Sequence, residues 1–230
     1  MATNVMIKEY PRNGSLNSGV IDSGQQRLMC VLLLDTSGSM EEGQLKEGIS
    51  QFFRALREDP YATARVEVCI ITFDDEARIA MPCKSVPELF MPDINCGGMT
   101  AMHQAVDLAL EQIEVRKAQY KKVGTDYFRP WLFLLTDGYA NDKDNGAFRR
   151  LTEAQAGHHV TAFPVAIGNM TDDETLHKLR EDHMIFRLDK DNVVNLFAYL
   201  SNSVPAASQS KPGERVTLPN PAEYQITVEM

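Results

Sequence analysis

Leu28-Met29-Cys30-Val31-Leu32-Leu33-Leu34-Asp35-Thr36-Ser37-Gly38-Ser39-Met40 decides how the rest of the chain reads. Seven consecutive apolar residues suit a β-strand buried on both faces. The run is far short of the ~20 residues that span a bilayer. At Asp35 the apolar run stops, and a carboxylate is followed by two hydroxyls flanking a glycine. Ligand sites of parallel α/β sheets lie at the carboxyl ends of their strands. The Asp35, Ser37, Ser39 group falls at such an end.

Outward from this segment, strands alternate with helices. Leu45, Ile49, Phe52, Phe53 and Leu56 recur at helical spacing, and Pro60 stops that helix. Val66–Phe73 reads as a strand, turning through Asp74-Asp75-Glu76 into a short partner, Ala77–Met81. A long helix runs from Ala101 to about Lys122, Trp131–Thr136 is the next buried strand, and Ala147–Ala156 the next helix. Val160–Ile167 is a strand. Thr171-Asp172-Asp173-Glu174 has capping-box spacing and opens a helix through Arg180. Met184–Leu188 is a short strand and Asn192–Ser203 the closing helix. The pattern predicts an α/β domain of three layers, α/β/α, over residues 27–204, with a mostly parallel central sheet and one short antiparallel edge strand. Residues 1–26 read as a polar N-terminal extension with one weak apolar cluster, Val5-Met6-Ile7. Residues 205–230 form a Pro-rich tail whose Tyr224–Val228 alternates like a strand, able to extend a sheet edge or to pair near Ile7.

Charge narrows the function classes. Lys and Arg number 23 against 32 Asp and Glu, a net −9. That balance argues against nucleic acid, whose binders neutralise phosphates with cations, and against an anionic membrane surface. Cys30, Cys69, Cys83 and Cys96 form no CxxC pair and have no histidine at zinc-ligand spacing, so they read as reduced thiols in a cytoplasmic protein. The N-terminus shows no basic-then-apolar leader.

Two further segments complete a candidate site. Asp137 follows the strand Trp131–Thr136, at an end equivalent to that of Asp35. Gly97-Gly98-Met99-Thr100 precedes the long helix and sets Thr100 near its N-terminus. Carboxylate and hydroxyl oxygens are hard ligands, which selects Mg²⁺, with Mn²⁺ or Ca²⁺ as alternatives, over Zn²⁺ or copper. Asp35 and Asp137 balance one divalent charge. If hydroxyls take the direct positions and carboxylates act through water, the ion stays electrophilic and favours an external carboxylate, so recognition is expected more than catalysis.

In order and spacing, Asp35, Ser37, Ser39, Thr100 and Asp137 resemble the D-x-S-x-S…T…D metal-ion-dependent adhesion site (MIDAS) of the von Willebrand factor A (vWA) domain family. The resemblance covers roughly residues 27–204 and implies a Rossmann-like vWA domain. It also implies that Ser37, Ser39 and Thr100 ligate the ion directly while Asp35 and Asp137 act mostly through water. Met99 is a departure, since many members have Thr directly after Gly-Gly. Three segments resemble more closely the cytosolic bacterial A-domain proteins of the tellurite-resistance group (TerY-like): Leu32–Met40, Leu56-Arg57-Glu58-Asp59-Pro60-Tyr61-Ala62, and Ile70-Ile71-Thr72-Phe73-Asp74. That resemblance implies a module in tellurite or chemical-stress resistance or in phosphorylation signalling. It also implies kinase- or phosphatase-like proteins as candidate partners, and the metal chemistry expects the partner to supply an Asp or Glu carboxylate.

Competing readings are weaker. No G-x-S-x-G elbow surrounds Ser37, and no histidine is placed by sequence to activate it. A phosphate-accepting Asp35 of the haloacid dehalogenase type needs a second Asp where Ser37 stands. No Walker P-loop is present. A metal-dependent hydrolase or phosphotransferase, and a structural vWA module with a vestigial site, remain the alternatives. Asp142, Asp144 and Glu153 imitate a calcium loop, but Ala147 replaces its Gly, so a solvated loop is expected. His103 reads as packed or hydrated. Met81, Met91, Met99 and Met102 read as core, with a soft rim around the site as the alternative.

Overall fold

β1 (Leu28–Asp35) is buried along its whole length, and its alternating side chains feed two cores. Leu28, Cys30, Leu32 and Leu34 pack with Leu45, Ile49, Phe52 and Leu56 of α1 (Glu42–Glu58) and with Leu196, Phe197 and Leu200 of α6 (Val193–Gln209). Met29, Val31 and Leu33 pack with Met102, Ala105, Val106 and Ala109 of α3 (Met102–Val123), Leu151 of α4 (Ala147–Ala156) and Leu176 of α5 (Asp173–Lys178). A computed structural model describes residues 24–169, 171–180, 182–209 and 217–229 of the protein. The expected Val5–Ile7 cluster, and any pairing with it, lies outside the described residues.

The sheet orders its seven strands β3-β2-β1-β4-β5-β6-β7, with β2 (Val66–Phe73), β3 (Ala77–Ser85), β4 (Trp131–Thr136), β5 (Thr161–Ile167), β6 (Ile185–Leu188) and β7 (Thr227–Glu229). The central strands from β2 to β6 are parallel. Helices on both faces make this the three-layer α/β fold expected from the alternation. Pro60, which stops α1, also opens α2 (Pro60–Arg65), where the Asp59 carboxylate caps the Ala62 amide at 2.7 Å.

Four expectations are corrected. Antiparallel strands close both edges of the sheet, since β3 pairs with β2 and β7 with β6. β3 is not short: it runs on to Ser85 and carries Pro82, which an edge strand tolerates, with register shifts along its pairing to β2. α6 passes through Pro205 to Gln209, because Val204 and Ala207 are buried in the core. The Arg65 guanidinium ties its last turn, donating to the Ser208 carbonyl at 2.6 Å. Finally, Asp172 rather than Thr171 caps α5. Its carboxylate accepts from the Thr175 amide at 3.1 Å, while the Thr171 hydroxyl donates to Asp173 at 2.5 Å.

α1 and α6 approach so closely at Gly48 that a Cβ there would stand 2.2 Å from Cδ2 of Phe197, a ring with no exposure. Alanine in mid-helix gains about 1 kcal/mol of propensity over glycine. A 2.2 Å approach to a trapped ring outweighs it, so Gly48→Ala should lower unfolding free energy by about 1–3 kcal/mol in urea titration.

Near the opposite end of β2 from Asp74 lies a buried ionic cluster. Arg116 clasps Glu67 with two bonds of 2.6 and 2.7 Å, and the Tyr120 hydroxyl donates at 2.5 Å. Burial pushes the Glu67 carboxyl up, but Arg116, Tyr120 and Arg27 together hold it below its ordinary range. A carboxyl depressed in the folded state adds stability that is complete above its unfolded pKa and is lost as pH falls through the folded value. Stability should therefore fall on acidification below the ordinary carboxylate range, and Glu67→Gln should flatten that limb. At neutral pH the same variant should cost about 3–5 kcal/mol, because it strands a buried Arg116.

Candidate metal centre

The chain leaves β1 for β2 on one side and later returns to β4 on the other, so the loops after β1 and β4 diverge. Such a switch point opens a crevice at the carboxyl ends of the strands. Asp35 closes β1, and Asp137 directly follows β4. The register sets Leu34 opposite Leu135, which brings Thr136 beside Asp35. The Thr136 hydroxyl donates to Asp35 Oδ2 at 2.6 Å, and the Ser37 amide donates to Oδ1 at 2.9 Å. Both carboxylate oxygens are thereby fixed in direction. Burial pushes the Asp35 carboxyl up; the bonds from Thr136 and Ser37 oppose that push, and the neighbouring Asp137 adds to it.

The hydroxyls meet the second carboxylate. Ser39 Oγ donates to Asp137 Oδ1 at 2.7 Å across 98 positions of sequence, and Ser37 Oγ lies 3.3 Å from Ser39 Oγ. With its proton committed to Asp137, the Ser39 oxygen keeps its lone pairs for a cation. The loop carrying Thr100 is clamped from both sides. The Gly97 amide donates to the Thr36 carbonyl at 2.8 Å, and the Ala101 amide to that of Asp74 at 2.8 Å. Gly98 holds φ +77°, with the Asp75 carboxylate so close that a Cβ would sit 2.8 Å from it. Thr100 itself is buried, and its Oγ1 lies 3.7 Å from where a Cβ on Gly138 would stand. The structure thus links Ser37, Ser39 and Asp137 by side chain, ties Asp35 to them through the Ser37 amide, and sets Thr100 against the residue after Asp137.

The donor set is all oxygen, with two carboxylates; among the described residues no group of three or more His, Cys, Asp or Glu is placed to hold a metal ion. Adjacent ligands of an octahedral ion sit about 3.0 Å apart for Mg²⁺ and about 3.4 Å for Ca²⁺, from metal–oxygen distances near 2.1 and 2.4 Å. The observed 3.3 Å between Ser37 Oγ and Ser39 Oγ fits one edge of such a polyhedron after a shift of a few tenths of an ångström.

Three supporting residues escaped the sequence analysis. Thr136 was legible in principle, since a parallel register sets the residue before Asp137 beside Asp35. Asp142, read as solvated, is instead a cap in trans. Its carboxylate accepts from the His103 amide at 3.1 Å and the Gln104 amide at 2.9 Å, at the start of α3, and meets His103 Nδ1 at 2.9 Å. His103 stacks on Phe148 with ring centres 4.2 Å apart. Lys190 opens the turn after β6 and reaches Asp137 Oδ2 at 2.5 Å; its only sequence signal is its place at the carboxyl end of a parallel strand. The methionines divide, with Met81 and Met102 buried and Met91 and Met99 exposed, as is Tyr139. Asp142→Ala removes the cap and should cost about 1–2 kcal/mol in urea unfolding.

The von Willebrand factor type A domain model matches residues 30–198, and the chain belongs to that family. No curated protein sequence matches it. Solved structures with the same fold include the ArnB paralog VWA2 from Sulfolobus acidocaldarius (18% identity, TM-score 0.55, 77% of this chain and 45% of that one). Proximal thread matrix protein 1 from the mussel byssus, with a zinc-occupied MIDAS motif, is similar at 15% identity and TM-score 0.51, over 77% of this chain and 48% of that one. The pilus adhesin SpaC from Lactobacillus rhamnosus GG is similar at 12% identity and TM-score 0.62, over 79% and 31%. The chain spans less than half the length of each, and identities this low carry the fold alone. No helix among the described residues is long and apolar enough to cross a membrane.

Proposed function

We propose that this vWA domain is a non-enzymatic, metal-dependent protein-interaction module. Asp35, Ser37, Ser39, Thr100 and Asp137 hold one Mg²⁺-type ion, with Mn²⁺ or Ca²⁺ as substitutes. The Ser39–Asp137 hydrogen bond, with Ser37 Oγ at 3.3 Å, carries the reading, because it joins two distant segments into one oxygen-lined edge. When bound, the ion supplies a Lewis-acidic position that an Asp or Glu carboxylate of a partner protein fills. Asp35, held by Thr136 and the Ser37 amide, supplies charge without swinging. Asp137 orients the Ser39 hydroxyl. Exposed Met99 and Tyr139 stand beside Thr100 and Asp137 in sequence and offer apolar surface to the chain bearing that carboxylate. His103 is engaged by Asp142 and Phe148, which favours recognition over turnover. A role in a cytoplasmic tellurite or chemical-stress resistance assembly, with kinase- or phosphatase-like partners, rests on the three segments that resemble the TerY-like group.

Calorimetry should show Mg²⁺ binding to the native chain. Asp35→Ala and Ser39→Ala should weaken it about tenfold or more, since each removes an oxygen donor from a small set, while thermal melts still report a folded domain. Chelator should release the acidic partner in a pulldown. No binding of Mg²⁺, Mn²⁺ or Ca²⁺ at millimolar concentration would overturn the reading.

A further inference from the structure

Asp137 turns one oxygen to the Ser39 hydroxyl and the other to an ammonium. Lys190 Nζ lies 2.5 Å from Asp137 Oδ2 and 3.1 Å from the Ser39 carbonyl oxygen, so it donates to two of the loops that form the metal centre. The Asp137 side chain has no exposure, whereas that of Lys190 is 44% exposed, so the ammonium reaches in from solvent over a buried anion. Its path is shaped by the fold. Gly168, at φ +75°, turns the chain alongside the lysine stem, where a Cβ would be in ordinary van der Waals contact with Lys190 Cγ at 3.4 Å and Cε at 3.5 Å. The Gly168 turn is held by its N–H, which donates a hydrogen bond to the Leu188 carbonyl at 2.8 Å, and by Arg187, which donates to the Gly168 carbonyl at 2.7 Å.

We propose that Lys190 is a tethered cation that sets the affinity of the centre for divalent ions. The inference rests on the metal-binding reading above and adds an internal competitor to it. Two carboxylates give the centre two negative charges, and the ammonium cancels one of them. A divalent ion entering between Ser37, Ser39 and Asp137 meets a like charge within a few ångströms and must share Asp137 with it or displace it. Repulsion at that range, in a partly buried setting, weakens divalent binding by about tenfold or more. The exposed stem gives the ammonium a route back to water when it yields. The carboxylates stay neutralised in part whether or not an ion is held, which spares the fold two unpaired buried charges.

The test is Mg²⁺ calorimetry on the native full chain, Lys190→Met and Lys190→Arg, with a thermal melt of each. Methionine keeps the stem over Gly168 and removes the charge; Lys190→Gln serves if that variant does not fold. Lys190→Met should bind Mg²⁺ about tenfold tighter or more, and Lys190→Arg should stay near the native value. A native chain that binds with Lys190→Met equal or weaker overturns the tethered cation and leaves the metal-binding reading intact. A native chain that does not bind while Lys190→Met does supports the tethered cation and overturns metal-dependent docking by the native domain. Failure of both to bind overturns both readings.

Discussion

Two buried carboxylates at the ends of adjacent parallel strands set the terms for the rest of this structure. Asp35 and Asp137 are both close to fully buried, and charges in that setting are costly unless hydrogen-bonded and balanced. Each loop around them meets that demand. Thr136 and the Ser37 amide satisfy Asp35; Ser39 and Lys190 satisfy Asp137. The sheet order follows the same logic, since only a switch point between β1 and β4 brings the two strand ends together with their following loops parted.

The remainder of the domain serves to hold that arrangement still. Gly48 lets α6 press onto α1, and Asp142 fixes the start of α3, just after Thr100. The Glu67 cluster anchors β2 and α3 to each other at the far end of the sheet. Nothing in these contacts is chemical in purpose. Their role is to deny the site loops alternative positions, so that hydroxyl and carboxylate oxygens as far apart in sequence as Ser39 and Asp137, 98 positions, stay within reach of one ion.

Most of the layer architecture was legible because period and punctuation agree. The run Leu28–Leu34 has no helical alternative of that length, and α1 repeats at helical spacing until Pro60. Expectation failed where tertiary burial outweighed local signals. Pro205 reads as a breaker, yet Val204 and Ala207 are buried and the helix continues past it. Thr171 has capping-box spacing, but Asp172 is one residue nearer the helix and takes the cap. At the site, the five oxygen-bearing residues were visible because each sits in a short motif next to a strand end or helix start. Asp142 and Lys190 were not, since a carboxylate in a polar loop and a lone lysine 53 residues beyond Asp137 look like ordinary surface until the loops close.

Metal binding by Asp35, Ser37, Ser39, Thr100 and Asp137 can be checked by anomalous diffraction from crystals of the native chain soaked in Mn²⁺. A single strong peak is expected within about 2.2 Å of both Ser37 Oγ and Ser39 Oγ, as for a hard octahedral ion, with Thr100 Oγ1 turned toward it. Manganese elsewhere on the surface, with the Ser37–Ser39 edge holding only solvent, would contradict metal binding there.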